Sequence, residues 1–454
     1  MPSWVGSPKF SNWIAMRRVW TPRRTLQLSL AIVAFLLFSI TWKEAAGLAL
    51  LILCLELFVL PQTGVGLRRG EETGQIESSV LLCSFALLVL VLIFRRNLDV
   101  VAAAWALFTV GDVMAGAAGE AWGIHALPFN PRKSWEGFAA FIVFGGAAAL
   151  LLLLWVQSSR LNLKAFLLCA AAGVAGALVE SLPIRLDDNI TVPVICGCFI
   201  FCAGLITRAS FDYNLPYLGI RTILAISVSL AFALAAWGLR QITLSGAVAG
   251  SFLCVAVYLG YGYKSFLILL SFFVLGTAAT RLGYEKKRQR GIAERRRGAR
   301  GWREAVGNIL APAFFSILVI TTPYQGAFLM ALVAALAEAA GDTVASETGK
   351  WVSSQARLIT TFKAVPAGEE GGISLAGTAS GFAASALVVA LGYGLGMYAG
   401  WRVLAVLLAA FAGNLADSFI GATLERRGLI TNSIVNFIGT GLAGALALVA
   451  GLYH

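Results

Sequence analysis

Long apolar runs separated by short polar segments dominate the sequence. The first, residues 26–42, is long enough to cross a bilayer, which takes about 17–25 residues in a helix. Similar runs follow along the chain, so the pattern predicts an all-α, polytopic membrane protein with fourteen or fifteen transmembrane helices in two related halves. The predicted helices lie near residues 26–42, 46–60, 79–95, 98–117, 136–156, 164–181, 191–207, 217–238, 243–261, 263–280, 305–321, 326–345, 374–398 and 401–422, with 433–452 as the fifteenth.

The composition excludes a soluble protein. Hydrophobic residues make up 59% of the 454 residues, charged residues 13%, and the mean hydropathy is +0.81. A soluble domain carries about 25% charged residues, so this chain has too little polar surface to cover its apolar residues. The first 25 residues are basic and polar, with no small-residue cleavage site after the first apolar run, so we expect no signal peptide.

Positive charge is concentrated in two short segments. Residues 1–25 contain five Lys or Arg and no acid, and residues 281–304 contain ten Lys or Arg and three Glu. Short basic segments beside membrane helices stay in the cytoplasm, so both are predicted to be cytoplasmic, in a bacterial-type inner or cell membrane. A basic loop can also attract nucleic acid, but membrane topology accounts for this one, and we expect no nucleic-acid partner.

Cysteine and histidine contribute little chemistry. The seven Cys lie inside apolar runs, where a thiol behaves as a small hydrophobe, and their spacing fits no zinc or redox motif. His125 and His454 are the only histidines, too few for a histidine-rich metal site or a Ser-His-Asp triad in each half. We therefore expect the chemistry to depend on carboxylates, lysines and amides.

Two parts of the sequence repeat at an offset of 230 residues. The run Gly111–Ala115 matches Gly341–Ala345, and Lys133 matches Lys363, so each run's Asp is followed by a Lys 21 residues later. We infer two copies of one architecture. A later cluster of acids and amides also recurs, as Glu180, Asp187, Asp188 and Asn189 in the first half and Asn414, Asp417, Asn432 and Asn436 in the second.

The repeat sets the predicted domains. Four extra residues in the second copy would align Glu136-Gly137 with Glu370-Gly371. The polar stretch at residues 208–217 is the predicted boundary. We therefore expect a basic segment at 1–25, a membrane domain at 26–210 and a second one at 217–454.

Seven acids lie within apolar runs or at their ends. A charged group at membrane depth costs about 2.5–3.5 kcal/mol on insertion scales, which makes each a candidate functional residue. Some could instead pair with Arg or Lys to hold helices together, but two nearby Lys-bearing loops favour a site. The seven are Asp112, Glu120, Glu180, Glu338, Asp342, Glu347 and Asp417.

Two Gly- and Lys-bearing loops, 127–137 and 357–374, each precede a membrane helix. A helix N-terminus carries partial positive charge and free N–H groups that receive phosphate, and Gly allows close approach. Neither loop is a Walker A sequence, and no kinase catalytic-loop signature is present. The predicted anion-binding residues are Asn130, Arg132, Lys133, Ser134 and Gly137 in the first loop, and Lys363, Gly368, Gly371, Gly372 and Ser374 in the second.

The first half resembles the phytol and dolichol kinase family, membrane enzymes that phosphorylate isoprenoid alcohols with CTP. A related cytidylyltransferase family, which makes CDP-diacylglycerol, looks loosely similar and is a competing interpretation. The resembling motifs, between residues 105 and 197, are Gly111-Asp112-Val-Met-Ala, Asn130-Pro-Arg-Lys133-Ser-Trp-Glu136-Gly137, Glu180-Ser-Leu-Pro and Asp187-Asp188-Asn189-Ile-Thr-Val-Pro193.

The second half is similar to the phytyl-phosphate kinase family over about residues 243–445. Glu369 departs from that family's Pro-x-Gly-Thr-x-Gly pattern, and a carboxylate there would repel phosphate unless it meets Mg²⁺ or Arg. The main motifs are Glu338-Ala-Ala-Gly341-Asp342-Thr-Val-Ala-Ser346-Glu347, Thr360-Thr-Phe-Lys363-x-Val-Pro366-x-Gly368, Gly371-Gly372-Ile-Ser374 and Gly413-Asn414-Leu-Ala-Asp417-Ser418, followed by Asn432-x-x-Val-Asn436.

Together the resemblances imply two consecutive reactions, from isoprenoid alcohol to monophosphate and from monophosphate to diphosphate, with CTP as donor and Mg²⁺ as cofactor. The isoprenoid tail would stay in the bilayer while its polar end meets nucleotide at the cytoplasmic face. Phosphoryl transfer needs in-line positioning and neutralisation of the charge on the transferred oxygens.

The expected roles follow from this chemistry. Lys133 and Lys363 would contact phosphate, and either Asp112 or Glu136 would accept the proton of the alcohol. The second half needs no strong base because its acceptor phosphate is already ionised. The expected metal ligands are Asp187, Asp188, Asp342 and Asp417, further catalytic candidates are Glu180 and Glu347, and the substrate-binding amides are Asn189, Asn414, Asn432 and Asn436.

Two other interpretations stay open. Internal repeats, Gly-interrupted helices and acids at membrane depth are also typical of transporters. An ion-coupled transporter would consume no nucleotide. Alternatively the first half only supports the second, in which case the monophosphate alone would be a substrate.

Overall fold

The computed structural model describes residue 20 and residues 22–58, 78–183 and 185–453. Its architecture is all-α apart from two small antiparallel sheets, which confirms the predicted fold class. The chain divides into two compact units between Gly204 and Leu205. The predicted boundary stretch at 208–217 instead begins a long helix of the second unit. Thr207 caps this helix, accepting a hydrogen bond from the Ser210 N–H at 3.2 Å.

The described part of the first unit contains nine helices and a two-stranded hairpin, in which β1 pairs with β2. A π-helical turn at Phe141–Gly145 joins two of the helices into one span. The elements are α1 (Pro22–Leu30), α2 (Val33–Leu36), α3 (Trp42–Phe58), α4 (Ser78–Ile93), α5 (Leu98–Trp122), β1 (Ala126–Leu127), β2 (Asn130–Ser134), α6 (Trp135–Ala140), α7 (Gly146–Gln157), α8 (Leu163–Ser181) and α9 (Asp188–Gly204).

Helix α5 is the central helix of the first unit, and residues 100–108 along it are all buried. Small residues let other helices approach it closely, as membrane helices require. A Cβ added at Gly145 would lie 2.9 Å from the Leu107 carbonyl oxygen, and one added at Gly111 would lie 3.0 Å from the Phe141 ring. The polar residues at the C-terminal end of α5 are therefore held against a rigid core.

The second unit also contains nine described helices, with a three-stranded sheet in the order β4-β3-β5. A 3₁₀ turn, Arg295–Gly298, precedes α14, and a π-helical turn, Gly421–Glu425, continues α17. The elements are α10 (Arg208–Gly238), α11 (Leu244–Tyr261), α12 (Tyr263–Arg281), α13 (Tyr284–Gln289), α14 (Trp302–Thr321), α15 (Gln325–Val352), β3 (Gln355–Leu358), β4 (Ala364–Pro366), β5 (Gly372–Ile373), α16 (Leu375–Gly394), α17 (Arg402–Ile420) and α18 (Asn432–Leu452).

Each unit follows its buried central helix, α5 or α15, with a small sheet and then a serine-capped helix. Ser134 accepts a hydrogen bond from the Gly137 N–H at 3.1 Å, and Ser374 accepts one from Gly377 at the same distance. These caps are 240 residues apart, whereas the central helices match at 230. The alignment of Glu136-Gly137 with Glu370-Gly371 is therefore wrong, because the second loop is longer.

Eleven helices among the described residues are long and apolar enough to cross a membrane, and three further apolar helices of 10–17 residues are shorter. The predicted spans from residue 79 onward each correspond to one of these helices. Helix α15 extends beyond its predicted end because Glu347 and Lys350, one turn apart, form an ion pair of 3.1 Å along it. The predicted span 26–42 corresponds to α1 and α2, which contain one of the three shorter apolar helices (Arg24–Leu36), and the predicted span 46–60 corresponds to the 17-residue helix α3.

All seven cysteines are free thiols, as their positions in apolar runs indicate. Of the two basic segments, residues 1–19 and 21 lie outside the described residues. The loop 281–304 is described and folds back on the second unit. Its Lys287 is completely buried, and Arg290 donates hydrogen bonds to the carbonyl oxygens of Lys350 and Ser353 at 3.2 and 2.9 Å.

Candidate active sites

Lys133 is surrounded by acidic side chains in the first unit. It lies on β2, just before α6, and its Nζ donates a hydrogen bond to Glu180 at the end of α8. The same Nζ lies 3.7 Å from Asp188 Oδ2 at the start of α9. Asp112 of α5 is close enough to act on the charge of Lys133, and Gln27 Nε2 donates to Asp112 Oδ2 at 2.9 Å. Helix ends and a hairpin thus bring four of the predicted site residues together.

The electrostatics of this group favour a charged lysine. Burial by itself lowers the pKa of Lys133, but the carboxylates of Glu180, Asp188 and Asp112 outweigh burial and raise it. Lys133 therefore stays protonated at neutral pH and is able to hold an anion. Three carboxylates around one ammonium group also leave negative charge that suits a divalent cation with oxygen ligands.

Three other predicted residues of the first unit order its loops. Asn130 Nδ2 donates to the Ser181 carbonyl at 3.0 Å, and Asn130 Oδ1 accepts from the Arg132 N–H at 3.3 Å, which ties the hairpin to α8. Asn189 donates its N–H to Asp187 Oδ1 at 3.0 Å. Asp187 and Asn189 thus order the start of α9, next to Asp188.

Glu136 lies apart from this group. Its carboxylate is 2.7 Å from His125 Nδ1 and has no described contact with Lys133. Ser134 caps α6, and a Cβ added at Gly137 would lie 2.9 Å from the Ala115 carbonyl oxygen, so this glycine is needed for helix packing. The geometry therefore favours Asp112 over Glu136 as the group that faces Lys133.

Glu338, Asp342 and Asp417 form the acidic centre of the second unit. Glu338 and Asp342 lie one turn apart on α15, and Asp417 of α17 is close enough to act on the charges of both. Gly439 of α18 makes room for the group, since a Cβ there would lie 2.7 Å from Glu338 Oε1 and 3.3 Å from Asp417 Oδ2. Carboxyl groups this close require a proton or a cation between them.

Several polar atoms of this centre are buried without a hydrogen-bond partner among the described residues. Glu338 is 1% exposed and Asp417 7%, and both oxygens of Glu338 and Oδ2 of Asp417 lack a partner. Asn414 Nδ2 and Asn436 Oδ1 are also buried without a hydrogen-bond partner among the described residues. Buried polar groups are normally paired, and an unpaired buried charge is costly. These atoms are therefore available to a ligand.

The loop between β4 and α16 packs on the π-helical turn after α17. Gly371 has a φ of +71°, and a Cβ there would collide with Ala422. Gly368 also has a positive φ, +91°. Both positions therefore need glycine for backbone geometry, and Gly372 continues the chain into β5 and the Ser374 cap.

Polar side chains line the rim of the same loop. Glu425 is close enough to Glu370 for their charges to interact. Glu369, the departure from the family pattern, pairs with Arg426 at 3.1 Å. An arginine is thus present to offset the repulsion between this carboxylate and a phosphate.

Lys350 is a cation whose charge acts on the acidic centre of the second unit, and the sequence reasoning missed it. It acts on Asp342 and bonds to Glu294 at 2.9 Å and to Glu347 at 3.1 Å. Burial raises the pKa of Glu294, but Lys350 outweighs burial and lowers it. Lys350 follows Asp342 by eight residues, about two helical turns, and this spacing could have identified it. Lys363 is instead exposed between β3 and β4, and no described residue forms an ion pair with it.

Two of the seven selected acids hold the chain together through ion pairs. Glu347 lies 2.6 Å from Lys287, and both side chains are buried. Lys287 also donates to the Thr280 carbonyl at 2.9 Å, so this pair anchors the basic loop to α15. Glu120 pairs with Arg24 at 2.6 Å and connects α5 to α1.

The acidic centre of the second unit has carboxylate oxygens that suit a magnesium ion. No group of three His, Cys, Asp or Glu within the described residues has the arrangement of a protein-only metal site. Mg²⁺, however, usually takes only one or two carboxylates and completes its shell with waters and substrate phosphates. The unpaired buried oxygens of Glu338 and Asp417 are suitable donors for such a shell.

Two family models match the chain, one on each half. The model of the cytidylyltransferase family matches residues 6–185, and the model described as integral membrane protein DUF92 matches residues 227–444. With eleven candidate membrane-spanning helices among its described residues, the chain is a multi-pass integral membrane protein.

Individual relatives agree with these matches. An uncharacterized membrane protein of Synechocystis is 38% identical over 197 residues, which is 43% of this chain and 76% of the relative. Protein VTE6 of Arabidopsis thaliana is 35% identical over 45% of this chain and 64% of its own length. Phytol kinase 1 of the same plant is 32% identical over 28% of this chain and 43% of its own length. No solved structure matches.

Through its second half, the chain belongs to the DUF92 family of integral membrane proteins. The resemblances to the phytol kinase family in the first half and to the phytyl-phosphate kinase family in the second are confirmed.

Proposed function

We propose that this protein phosphorylates an isoprenoid alcohol, such as phytol, to its monophosphate in the first unit and the monophosphate to the diphosphate in the second, with CTP as donor. The observation that carries the proposal is the recurrence of one arrangement. Each unit places acids from two or more helices close to a lysine whose charge acts on them, and in each unit a small sheet and a serine-capped helix follow the central helix. The name of the phytol kinase relative supplies the substrate class.

In the first unit, the proposed acceptor is the hydroxyl of the alcohol. Lys133 holds the transferred phosphoryl group, since it is charged and close to the N-terminus of α6. Asp112 takes the hydroxyl proton, because Glu136 is engaged by His125. Glu180 and Asp188 fix the position of Lys133 and leave negative charge for Mg²⁺.

In the second unit, the proposed acceptor is a phosphate that is already ionised, so charge neutralisation matters more than proton transfer. Glu338, Asp342 and Asp417 would hold Mg²⁺, whose role when bound is to neutralise developing charge on the phosphate oxygens. Asn414 lies one turn before Asp417 on α17, and Asn436 lies one turn before Gly439 on α18. Both have buried polar atoms without a partner among the described residues, and we assign them to phosphate or metal-bound water. The assignment of Lys363 to phosphate stays a prediction.

The position of the reaction in the membrane follows from charge and polarity. The basic loop 281–304 packs against the C-terminal part of α15 through ion pairs of Glu347 and Lys350, which follow Asp342 by one to two helical turns, so we place the loop and the acidic centre on one side of the membrane. By the positive-inside rule that side is the cytoplasm, where the nucleotide is found. The isoprenoid tail would remain among the helices or in lipid.

The test is a product assay with purified protein, α-labelled CTP, Mg²⁺ and phytol or geranylgeraniol in detergent. A kinase releases CDP and yields the prenyl mono- and diphosphate. A cytidylyltransferase, the activity favoured by the family name of the first half, would release pyrophosphate from CTP and put the label on lipid. A transporter would leave CTP unchanged. Formation of CDP without a phosphorylated prenol, or no turnover of CTP, would contradict the proposal.

A further inference from the structure

Arg300 occupies a defined position in the second unit, at the end of the basic loop. Its N–H donates to the Gln241 carbonyl and its carbonyl accepts from the Thr243 N–H, both at 3.0 Å. The guanidinium lies over the Phe272 ring at 5.0 Å, in space that a Cβ at Gly276 would occupy. Backbone bonds, an aromatic face and a glycine therefore position this one arginine of the loop.

The guanidinium of Arg300 has neither an ion pair nor a side-chain hydrogen bond with any described residue. The carboxylates nearest to it are those of Glu294, Glu347, Glu304 and Asp342, which act on its charge from beyond ion-pair distance. An arginine near several charged groups normally uses its five N–H donors, above all in bidentate contacts with phosphate or carboxylate. A Cβ added at Gly276 would also lie 3.2 Å from Thr343 of α15, so the guanidinium is held next to the turn of α15 that carries Asp342 and is available to an anion.

A narrow cavity leads away from Arg300 between α10, α11, α12 and α14. Its lining is apolar except for Arg300 and Glu304 at one end and the Ser229 hydroxyl on α10, and the Glu304 carboxylate accepts a hydrogen bond from the Gly301 N–H at 2.8 Å. The apolar part of the lining includes Phe232, Ala233, Ala247, Gly250, Leu269, Phe273 and Ile309. One end of the cavity thus carries a guanidinium and a carboxylate, and most of the rest is suited to a hydrocarbon chain.

We propose that this cavity and Arg300 form the binding site for the isoprenyl monophosphate. The phosphate would sit on the Arg300 guanidinium, facing Asp342, and the first isoprene units would fill the apolar cavity. This inference rests on the proposed function of the second unit and specifies where its acceptor binds. A nucleotide fits the cavity poorly, because the apolar lining offers no hydrogen-bond partners for a base and a ribose.

The first test replaces the arginine. In Arg300→Ala the KM for geranylgeranyl phosphate should rise about 10- to 100-fold, as expected for the loss of a charge-assisted bidentate contact. The KM for CTP should change by less than about threefold, and Arg300→Lys should recover part of the loss because it keeps the charge. Arg303→Ala is the matched control: it removes a guanidinium of the same loop that stacks on Trp302 outside the cavity, and it should behave as the wild type.

The second test fills the cavity. A Cβ at Gly250 would meet no atom within 4 Å, so Gly250→Leu should fold and occupy the cavity. It should abolish use of geranylgeranyl phosphate while sparing the short dimethylallyl phosphate. Gly219→Leu is its control, since Gly219 also has open space around it but does not line the cavity.

A binding measurement without nucleotide separates this inference from the proposed function. If geranylgeranyl phosphate stabilises the wild type against heat but neither Arg300→Ala nor Gly250→Leu, the binding site is supported even where no turnover occurs, and the kinase proposal alone fails. If both variants bind and turn over the monophosphate as the wild type does, the site is wrong and the kinase proposal survives. Equal stabilisation by phosphatidic acid would assign the cavity to a membrane phospholipid and overturn the isoprenyl assignment.

Discussion

Glu338 has surroundings that are difficult to explain without a ligand. Its carboxylate is buried in the middle of α15 and contacts neither a cation nor a hydrogen-bond donor among the described residues. Instead, Gly439 and Gly413 of two neighbouring helices pack against it. Natural membrane proteins retain such groups where they bind ions or substrates.

We therefore expect Glu338→Gln to have opposite effects with and without metal. In EDTA the variant should be at least as stable as the wild type, by up to about 2 kcal/mol, because it replaces a crowded carboxyl group that has to take up a proton when no cation is bound. With Mg²⁺ the wild type should gain thermal stability and the variant should gain much less. Thermal unfolding in detergent, measured in EDTA and in about 10 mM Mg²⁺, tests both effects.

The matched control for this variant is Glu56→Gln. Glu56 of α3 is also buried with one oxygen unpaired, but it lies in the first unit, away from any predicted site residue. Its substitution should stabilise the protein equally in EDTA and in Mg²⁺. An identical Mg²⁺ response in both variants would argue against a metal at Glu338.

Lys133 is the residue on which the first reaction depends most directly. We expect Lys133→Ala to reduce formation of the monophosphate by about 10²–10³-fold, since it removes the cation that faces the transferred phosphate. The same protein should still convert added monophosphate to diphosphate at the wild-type rate. Thin-layer separation of the prenyl phosphates formed from γ-labelled CTP and each substrate measures the two steps.

Lys164→Ala provides the control for Lys133→Ala. Its Nζ donates to the Gly204 carbonyl at 2.8 Å on an exposed part of the same unit, so both steps should be unaffected. Equal loss of the two steps in Lys133→Ala would show that the sites are not separate.

Contacts between helices decide which polar residues share a site. Asp342 and Asp417 are 75 positions apart in sequence, and only the packing of α17 on α15 and α18 brings them together. That packing depends on Gly413, where a Cβ would lie 2.8 Å from the Gly439 carbonyl oxygen and 2.9 Å from Glu338 Cγ.

Gly413→Ala should therefore destabilise the second unit by about 1–3 kcal/mol, the usual cost of overpacking, and reduce the second reaction more than the first. Gly441→Ala on α18 adds the same methyl group where nothing lies within 4 Å, and it should be neutral. Differential scanning fluorimetry and the two product assays test this expectation. A neutral Gly413→Ala would mean that α17 is not held as tightly as the contacts indicate.

The same contacts explain what the sequence could predict at this level and what it could not. Apolar runs locate nearly every long helix, because a membrane span must be apolar whatever its partners are. The pairing of Asp112 with Lys133, and the 230-residue repeat of the central helices, follow from motif spacing. The sequence does not single out Lys350 and Arg300, because a positive charge in a basic loop or at a helix end normally reflects membrane topology. Only the fold shows that the charges of these two residues act on the acidic centre.

The presence of two units in one chain raises the question of whether each reaction depends on the other site. Each unit has its own buried central helix and its own group of acids, so each reaction should proceed when the other site is disabled. The two reactions are then linked only by the monophosphate, which is amphiphilic and able to diffuse through lipid or detergent.

This gives a prediction for mixed variants of the full chain. Lys133→Ala and Asp417→Asn should each be unable to convert the alcohol to the diphosphate, but for different reasons. Mixed in the same liposomes with alcohol and CTP, they should produce diphosphate after a lag, because the monophosphate made by Asp417→Asn can be used by Lys133→Ala. If each variant performs its remaining step but the mixture makes no diphosphate, the intermediate must pass within a single chain, and independence of the two sites would be refuted.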